Sequence, residues 1–511
     1  MVAACLVIAV ALVAAGTYFF SGVTLAADGT ALARVDLQPL AGSLVSVRAT
    51  AHGSSVPLAV RGGVLTPRSR LSPGEPVDVA VVVKRPGWAS WALGSTRSER
   101  LTIRTPVAHI EQRWLTVPNG RHPVARFDAA VSRVAVGGRT SATHSRLVSI
   151  PSNAVGGSTT VAAAPRSWER LGAPVRVTWF PKTDRPALLA SPKPTTKMNP
   201  LGPLRLTFSE PVASVLRGHD PSFSPALPGR WVQADDHTLV YRPSGYGARL
   251  NSRQTLRLPL DVAVVGGSSS TQKLSWQVAP ASFVRLQQLL AQEGYLPLVW
   301  SPSGADVSRS PRAELSAATA PPDGRFTWRY PNTPNELTSL WRTGQANEIT
   351  RGAVMMFEHD HGLAVDGIAG PQVWHAAIED AVRGRQKPGG YSYVFVHRNV
   401  PQLMTLWHNG RVVLTSPGNT GVPAAPTQLG TWPVFEHIPV GRMSGQNPDG
   451  SHYDDPGIQW ISYFHGGEAL HAFNRASFGT PQSLGCVELP LAAAAQVWPY
   501  TPIGTLVTIE N

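Results

Sequence analysis

Cysteine is almost absent from this chain, which has two cysteines among 511 residues. Cys5 lies inside an apolar N-terminal segment, so Cys486 is the only cysteine in the rest of the chain. Proteins exported from the cytoplasm usually pair their cysteines or do without them. A lone cysteine excludes a disulfide framework for this part of the chain, and it suggests that Cys486 is kept as a nucleophile.

Charged residues are also scarce, at 15% of the chain, and basic residues dominate, giving a formal net charge of +13. The basic residues are scattered rather than clustered on helices or glycine-rich loops, which argues against nucleic acid as a partner. A diffuse positive charge favours an anionic polymer of the cell envelope. Glycine (47) and proline (46) are abundant, which is typical of short strands joined by turns.

The N-terminal segment points to the envelope as well. Residues 2–27 contain no charged side chain, and this run is long enough to cross a bilayer. We expect residues 1–27 to be a transmembrane anchor or a cleaved signal, and the length favours the anchor. The remainder of the chain would then lie outside the cytoplasm.

The next 250 residues or so predict β-structure, because β-branched, partly alternating runs recur between proline and glycine. The runs at 79–84 and 101–104 are examples. Residues 203–259 carry an LTFSEPV strand followed by a TLVYRP strand, an order that resembles bacterial immunoglobulin-like modules. The expected sandwich modules, interpreted as spacers, are residues 28–107, 108–187 and 188–280.

Helical periodicity replaces this pattern in the following segment. Apolar spacing predicts a helix from Phe283 that ends at Gly294, a second from Ile349 to His361, and a third that begins at Pro371. The LQxxLxxxGY and DGIAGPxxW motifs resemble the peptidoglycan-binding domain 1 family. The resemblance implies a small three-helix wall-binding domain over 281–385, interrupted by a loop-like insertion at 301–335.

His359 and His361 close the second predicted helix and could suggest a metal site. No cysteine or glutamate cluster completes a zinc site there, and the helix dipole favours histidine at a C-terminus. We therefore expect no metal and no cofactor.

The C-terminal residues carry the chemistry. A thiol attacks a carbonyl only as a thiolate, so Cys486 requires a base. His471 lies 15 residues upstream on an apolar run that could bring imidazole and sulfur together. Gly485 leaves room for a substrate carbonyl near the backbone N–H groups of Leu484 and Gly485, which are the expected oxyanion donors.

The order of His471 and Cys486 along the chain argues against two other families of cysteine enzymes. Papain-like hydrolases place cysteine before histidine. Sortases place histidine first, but they carry Thr-Leu-x-Thr-Cys followed by an essential arginine. Here Ser-Leu-Gly precedes Cys486 and neither Lys nor Arg follows it, which argues against a sortase.

The last 120 residues or so resemble the L,D-transpeptidase catalytic domain of the YkuD family. The resemblance implies a β-rich catalytic domain over 390–511, in a multidomain and mainly β chain. The positions that carry it are Leu403, Asn409-Gly410, Thr420-Gly421, residues 427–432, His471 and the SLGCV run at 483–487.

The resemblance also implies a reaction. The Cys486 thiolate would attack the L-centred third residue of a peptidoglycan stem peptide, expel D-Ala and pass the acyl group to a neighbouring stem as a 3→3 cross-link. Carbapenem-type inhibitors would acylate the same thiol. An L,D-carboxypeptidase, a protein-to-wall ligase and a non-catalytic wall-binding scaffold remain alternatives.

Three features depart from the family pattern. Leu484 stands where His or Lys is frequent, and Glu488 stands where Arg or Asn is frequent. Two histidines compete for the role of base, because His465 precedes a glycine as in the family motif but lies 21 residues before the cysteine, whereas His471 has the usual spacing. The spacing to the cysteine favours His471 as the base.

The expected residues of the substrate cleft are Ser483, His465 and Gly466.

Overall fold

The protein is mainly β, as its turn-rich composition predicts. The computed structural model describes residues 2–267 and 270–511, with side chains described for residues 10–91, 93–267 and 270–511. These residues form 31 strands and 9 α-helices. Three β-units come first, followed by a helical unit and a C-terminal β-unit.

The N-terminal segment contains α1 (Val2–Phe20) and β1 (Val23–Ala27). Among the described side chains, no helix is long and apolar enough to span a membrane. The side chains of residues 1–9, which belong to the expected anchor or signal, lie outside the described part.

The first β-unit packs two four-stranded antiparallel sheets around one apolar core. Val77, Val79, Val81 and Val83 point into this core at every second position, which is the alternation that the sequence predicts. Its further elements are β2 (Ala33–Leu37), β3 (Leu44–Ala51), β4 (Ser54–Val56), β5 (Leu58–Arg61), β6 (Val64–Pro67), β7 (Pro76–Lys84), α2 (Ser90–Leu93) and β8 (Thr96–Arg104).

The second β-unit is a five-stranded sheet. Its strands are β9 (Trp114–Val117), β10 (Val124–Val136), β11 (Arg139–Ser149), β12 (Gly157–Ala164) and β13 (Val175–Pro181). The order is β11-β10-β12-β13-β9, with β9 parallel to β13. Register shifts between β10 and β11 bend the long hairpin over a core that includes Phe127 and Trp179.

The third β-unit is a seven-stranded mixed sheet with Phe208 and Trp276 fully buried in its core. Its strand order is β16-β19-β14-β15-β18-β17, and β20 pairs with β19. The elements, in chain order, are β14 (Ala187–Ser191), β15 (Leu204–Phe208), α3 (Val212–Leu216), β16 (Ser222–Ser224), β17 (Gly229–Asp235), β18 (Thr238–Pro243), β19 (Arg253–Val264) and β20 (Thr271–Gln277).

The helical unit contains the three predicted helices and an ordered insertion. The insertion at 301–335 was expected to be a loop, but it contributes the helix Pro311–Thr319 and the strand Gly324–Trp328, which pairs with Leu298–Pro302, and Phe326 packs against the helical core. The elements are α4 (Phe283–Gln292), β21 (Leu298–Pro302), α5 (Pro311–Thr319), β22 (Gly324–Trp328), α6 (Asn335–Thr338), α7 (Glu348–Asp360) and α8 (Pro371–Arg383).

The C-terminal unit consists of two sheets with a common core. The larger sheet has the order β25-β24-β23-β31-β26, and the smaller has the order β27-β28-β29-β30. The elements are β23 (Ser392–His397), β24 (Leu403–His408), β25 (Arg411–Pro417), β26 (Gly430–Pro433), β27 (Glu436–Gln446), β28 (His452–His465), β29 (Glu468–Ala472), β30 (Val487–Leu489), α9 (Leu491–Val497) and β31 (Leu506–Glu510).

The predicted Asn409-Gly410 hairpin is present between β24 and β25. Both turn residues have positive φ, +49° for Asn409 and +88° for Gly410, as a tight hairpin turn of this sequence requires. The helical unit packs directly on this domain, since one buried cluster contains residues of both, among them Trp374 and Trp407. Trp407 also donates a hydrogen bond from Nε1 to Asn332 O in the insertion, at 2.9 Å.

Candidate active site

The two catalytic candidates lie where β29 and β30 run parallel in the smaller sheet. The register places His471 opposite Glu488 and Leu470 opposite Val487. Side chains alternate between the faces of a strand, so His471 and Glu488 share a face. Cys486 directly precedes β30 and packs in one cluster with Ala469 and Phe473, which lie on the same side of the sheet as His471. The fold thus brings together a thiol and an imidazole that lie 15 residues apart in the sequence.

The Cys486 sulfur packs against the backbone at the start of β29. Its Sγ lies 3.7 Å from Gly467 O. Burial raises the pKa of Cys486 to about 12; the N–H of Ala469 opposes this shift, and the carboxylates of Glu488 and Glu468 add to it. Cys486 is therefore a thiol at rest, and a base must take its proton before it can attack a carbonyl.

His471 is buried, with 3% of its surface exposed. Its Nδ1 lies 2.9 Å from Ala472 O. Because a carbonyl oxygen can only accept, Nδ1 donates its hydrogen there, and the neutral ring carries its basic lone pair on Nε2. Burial is the main cause that lowers the pKa of His471. The structure therefore holds a neutral imidazole in the tautomer that can accept a proton through Nε2.

Ser483 closes the turn that carries the thiol. Its Oγ donates to Cys486 O at 2.6 Å and accepts from the N–H of Gly485 at 3.2 Å. Gly485 has a φ of +114°, which side chains with a Cβ rarely adopt. One of the two expected oxyanion donors is thus engaged by Ser483, and Leu484 lies at the exposed rim of the turn. These contacts make Ser483 a residue that shapes the turn.

A second segment, residues 419–422, supports this turn from outside the sheet. Ser483 N donates to Thr420 O at 3.1 Å, and Ser483 O accepts from Val422 N at 2.9 Å. A Cβ on Gly421 would collide with the backbone of the loop that follows it. Thr420 and Gly421, which the sequence marks as motif positions, therefore form part of the scaffold of the nucleophile turn.

His465 has different surroundings from His471. It ends β28, and its Nδ1 lies 3.3 Å from Glu468 Oε2. Its ring centroid is 4.5 Å from that of Trp432. Gly466 follows with a φ of +52° in the turn to β29. The described contacts of the His465 ring are thus with Glu468 and Trp432, which favours His471 as the base.

Arg475 is a candidate that sequence reasoning missed. Its Nε and Nη2 donate to the two carboxylate oxygens of Glu488 at 2.8 and 2.7 Å. Glu488 is buried, with 4% of its surface exposed, and a buried carboxylate requires a partner. Arg475 precedes Cys486 in the chain and lies in the loop between β29 and β30. A lone glutamate within the apolar VEL strand was the signal that could have revealed this pair.

An apolar cluster surrounds the sulfur on the side of the long hairpin formed by β27 and β28. Such surroundings exclude water from a reacting carbonyl and strengthen hydrogen bonds to the charge that develops on it. The surroundings of the Cys486 sulfur are therefore suited to acyl transfer. The residues of the cluster are Ile438, Met443, Ile458, Ile461, Tyr463, Ala469, Phe473 and Cys486.

Two family models match the chain. Residues 391–509 match YkuD, the L,D-transpeptidase catalytic domain. Residues 337–376 match PG_binding_1, a peptidoglycan binding domain. This match begins after the insertion, at the end of α6, and spans α7 and the start of α8. No curated protein matches the chain.

Solved structures similar to the chain include several L,D-transpeptidases. The enzyme from Mycobacterium smegmatis is 13% identical, with a TM-score of 0.21, over 63% of this chain and 99% of that chain. L,D-transpeptidase 3 from Mycobacterium tuberculosis is 12% identical, with a TM-score of 0.22, over 63% and 97% of the two chains. The catalytic domain of the E. faecium L,D-transpeptidase is 22% identical, with a TM-score of 0.22, over 23% and 96%.

Proposed function

We propose that this chain, which carries a YkuD-type L,D-transpeptidase catalytic domain and a peptidoglycan binding domain, forms 3→3 cross-links in peptidoglycan through a thioester on Cys486. One observation carries the proposal. Cys486 and His471 lie on the same side of the β29–β30 pair, and Ala472 O holds Nδ1 so that Nε2 is the basic nitrogen.

The first half-reaction transfers an acyl group to the enzyme. His471 Nε2 accepts the proton of Cys486, and the sulfur attacks the carbonyl carbon of the L-centred third residue of a donor stem. Backbone N–H groups of the nucleophile turn other than that of Gly485, which donates to Ser483, stabilise the oxyanion of the tetrahedral intermediate. The intermediate then expels the terminal D-Ala, whose amine takes the proton from His471.

The second half-reaction passes the acyl group on. The side-chain amine of a neighbouring stem attacks the thioester, His471 accepts the amine proton, and Cys486 leaves and regains a proton. One peptide bond breaks and one forms, so the exchange is balanced without a cofactor. Peptidoglycan lies outside the cytoplasm, and we place the reaction there.

The helical domain would hold the wall polymer. Because it shares a buried cluster with the catalytic domain, bound polymer would lie at a set distance from Cys486. Binding at one site raises the effective concentration of substrate at a linked site. We expect this domain to bring stem peptides to the cleft.

Acylation by a carbapenem tests the enzymatic proposal. We expect intact-protein mass spectrometry to show one adduct on the full chain and none on Cys486→Ala. His471→Ala should acylate at least 100-fold more slowly, since general base catalysis contributes about 10²–10⁴-fold. His465→Ala, the matched control, should stay near wild type. No adduct on the wild type, or an adduct that survives Cys486→Ala, would support a scaffold instead.

Purified disaccharide-tetrapeptide dimers then separate the acceptors. Cross-linking predicts loss of D-Ala with formation of larger 3→3 products. Accumulation of tripeptide stems alone would identify a carboxypeptidase. Acylated enzyme that releases its acyl group only to an added peptide amine would identify a protein-to-wall ligase.

A further inference from the structure

The Arg475–Glu488 ion pair lies beside the catalytic candidates and has no part in the mechanism above. Glu488 is level with His471 in the β29–β30 register. Neighbouring strands lie about 4.8 Å apart in the hydrogen-bonding direction. Glu488 is also fixed through its backbone, whose N–H and C=O bond to Asn419 at 2.9 Å each. A buried carboxylate is therefore held next to the base.

Arg475 is held in turn by contacts other than Glu488. Its guanidinium carbon lies 4.6 Å from the centre of the Phe473 ring, and Nη2 donates to Gln482 O at 3.2 Å. The Phe473 ring meets the His471 ring edge-on, with centroids 5.9 Å apart. His471 thus contacts Phe473, Phe473 contacts Arg475, and Arg475 contacts Glu488. The strand register then places Glu488 beside His471.

An uncompensated carboxylate at this position would oppose the chemistry. A negative charge near imidazole stabilises imidazolium, and a negative charge near a thiol disfavours thiolate. Glu488 raises the pKa of both His471 and Cys486, whereas Arg475 lowers the pKa of His471. The hydrogen bonds described for the Glu488 carboxylate all come from Arg475.

We propose that Arg475 is a positioning residue for the thiol–imidazole pair. By occupying both oxygens of Glu488, it prevents that carboxylate from capturing His471 and leaves the imidazole free to take the Cys486 proton. The inference rests on the proposed roles of Cys486 and His471, but its consequence is a change in thiol reactivity that does not depend on cross-linking.

Other charged and titratable groups also face the pair. Asp455 of β28 acts on His471, and Glu468 acts on Cys486. The phenols of Tyr453 and Tyr463, also on β28, face the thiol. These four groups are unchanged in the variants below, so differences between variants report on Arg475 and Glu488.

The test is the rate of iodoacetamide alkylation at Cys486 at several pH values below the pKa of the thiol, followed in the full chain by mass spectrometry of the peptide that contains it. Below that pKa the rate follows the fraction of thiolate, which changes about tenfold for each unit of pKa. Arg475→Gln should therefore slow alkylation about tenfold, because an unscreened charge within about 4–6 Å shifts a pKa by roughly 1–3 units. Glu488→Gln should speed alkylation, and the double variant should return close to the wild-type rate.

A merely structural role predicts another pattern. Both single variants would then be alkylated more slowly, and the double variant would be at least as slow, which would overturn the inference. Arg475→Lys, which keeps the charge but not the two-point contact, should give a rate between wild type and Arg475→Gln, and it serves if Arg475→Gln fails to fold. Opposite changes in rate in a chain that does not cross-link would refute the proposed function alone. Cross-linking without opposite changes in rate would refute the inference alone.

Discussion

Gly352 of α7 and Gly504, just before β31, meet backbone to backbone. A Cβ on either residue would collide with the carbonyl oxygen of the other. This contact joins the helical domain to the catalytic domain, whose Tyr393, Trp407 and Leu506 lie in the same buried cluster as the helices. The two domains therefore share a core rather than being held together only by the segment between α8 and β23.

Enlarging this contact should loosen that core. Overpacking of a well-packed interior costs typically about 1–3 kcal/mol, so Gly352→Ala should lower the free energy of unfolding by roughly this amount, less the gain in helix propensity of about 1 kcal/mol. Urea unfolding measures the change. Gly304→Ala is the control, since a Cβ there has nothing within 4 Å. Equal stability of the two variants would show that the contact is not tight.

The buried pair Arg285–Glu314 should matter for the helical domain. Arg285 Nη2 lies 2.5 Å from Glu314 Oε2, and both side chains are almost fully buried. Arg285→Met should cost about 3–5 kcal/mol, because it leaves a buried carboxylate without its partner. Arg285→Met combined with Glu314→Leu should cost much less, since neither charge of this pair then stays buried without the other. Thermal unfolding of the two variants compares them, and a double variant as unstable as the single would contradict this explanation.

Removing the Ser483 hydroxyl should weaken the nucleophile turn. Ser483→Ala leaves Cys486 O and the N–H of Gly485 without their described partner. Leaving a buried group unsatisfied costs about 1–3 kcal/mol, and we expect slower carbapenem acylation together with a lower unfolding temperature. Ser483→Thr keeps a hydroxyl and should restore part of both. Unchanged acylation in Ser483→Ala would show that the Ser483 hydroxyl does not support the turn.

Burial of His471 predicts a pH dependence of stability. Its folded-state pKa lies below the usual value of 6.5, so the unfolded chain binds a proton that the folded chain does not. The stability gained by keeping His471 neutral in the folded state is therefore present above about pH 6.5, and it is lost as the pH falls through and below that value. Urea unfolding over this range should show a shallower slope for His471→Asn than for the wild type. Identical slopes would mean that the imidazole titrates alike in both states.

Local patterns predicted much of the fold. The hairpin turn at Asn409-Gly410 and the helix that starts at Pro371 depend on residues next to one another, and both are present. The insertion at 301–335 was expected to be a loop because it interrupts the motifs that resemble the peptidoglycan-binding family. It is ordered instead by distant packing, as shown by Trp407 and Asn332, which are 75 residues apart and hydrogen-bonded.

The candidate site likewise has some features that the sequence predicts and others that depend on the folded chain. A lone cysteine in the SLGCV run and a histidine at the right spacing could be recognised without coordinates, because they are matters of composition and local order. Three contacts could be recognised only in the folded chain. They are the hydrogen bond from the Gly485 N–H to Ser483, the hydrogen bond from His471 Nδ1 to the Ala472 carbonyl, and the Arg475–Glu488 ion pair. They follow from strand register and loop conformation, since the parallel pairing of β29 with β30 decides which side chains meet, and no local propensity encodes that pairing.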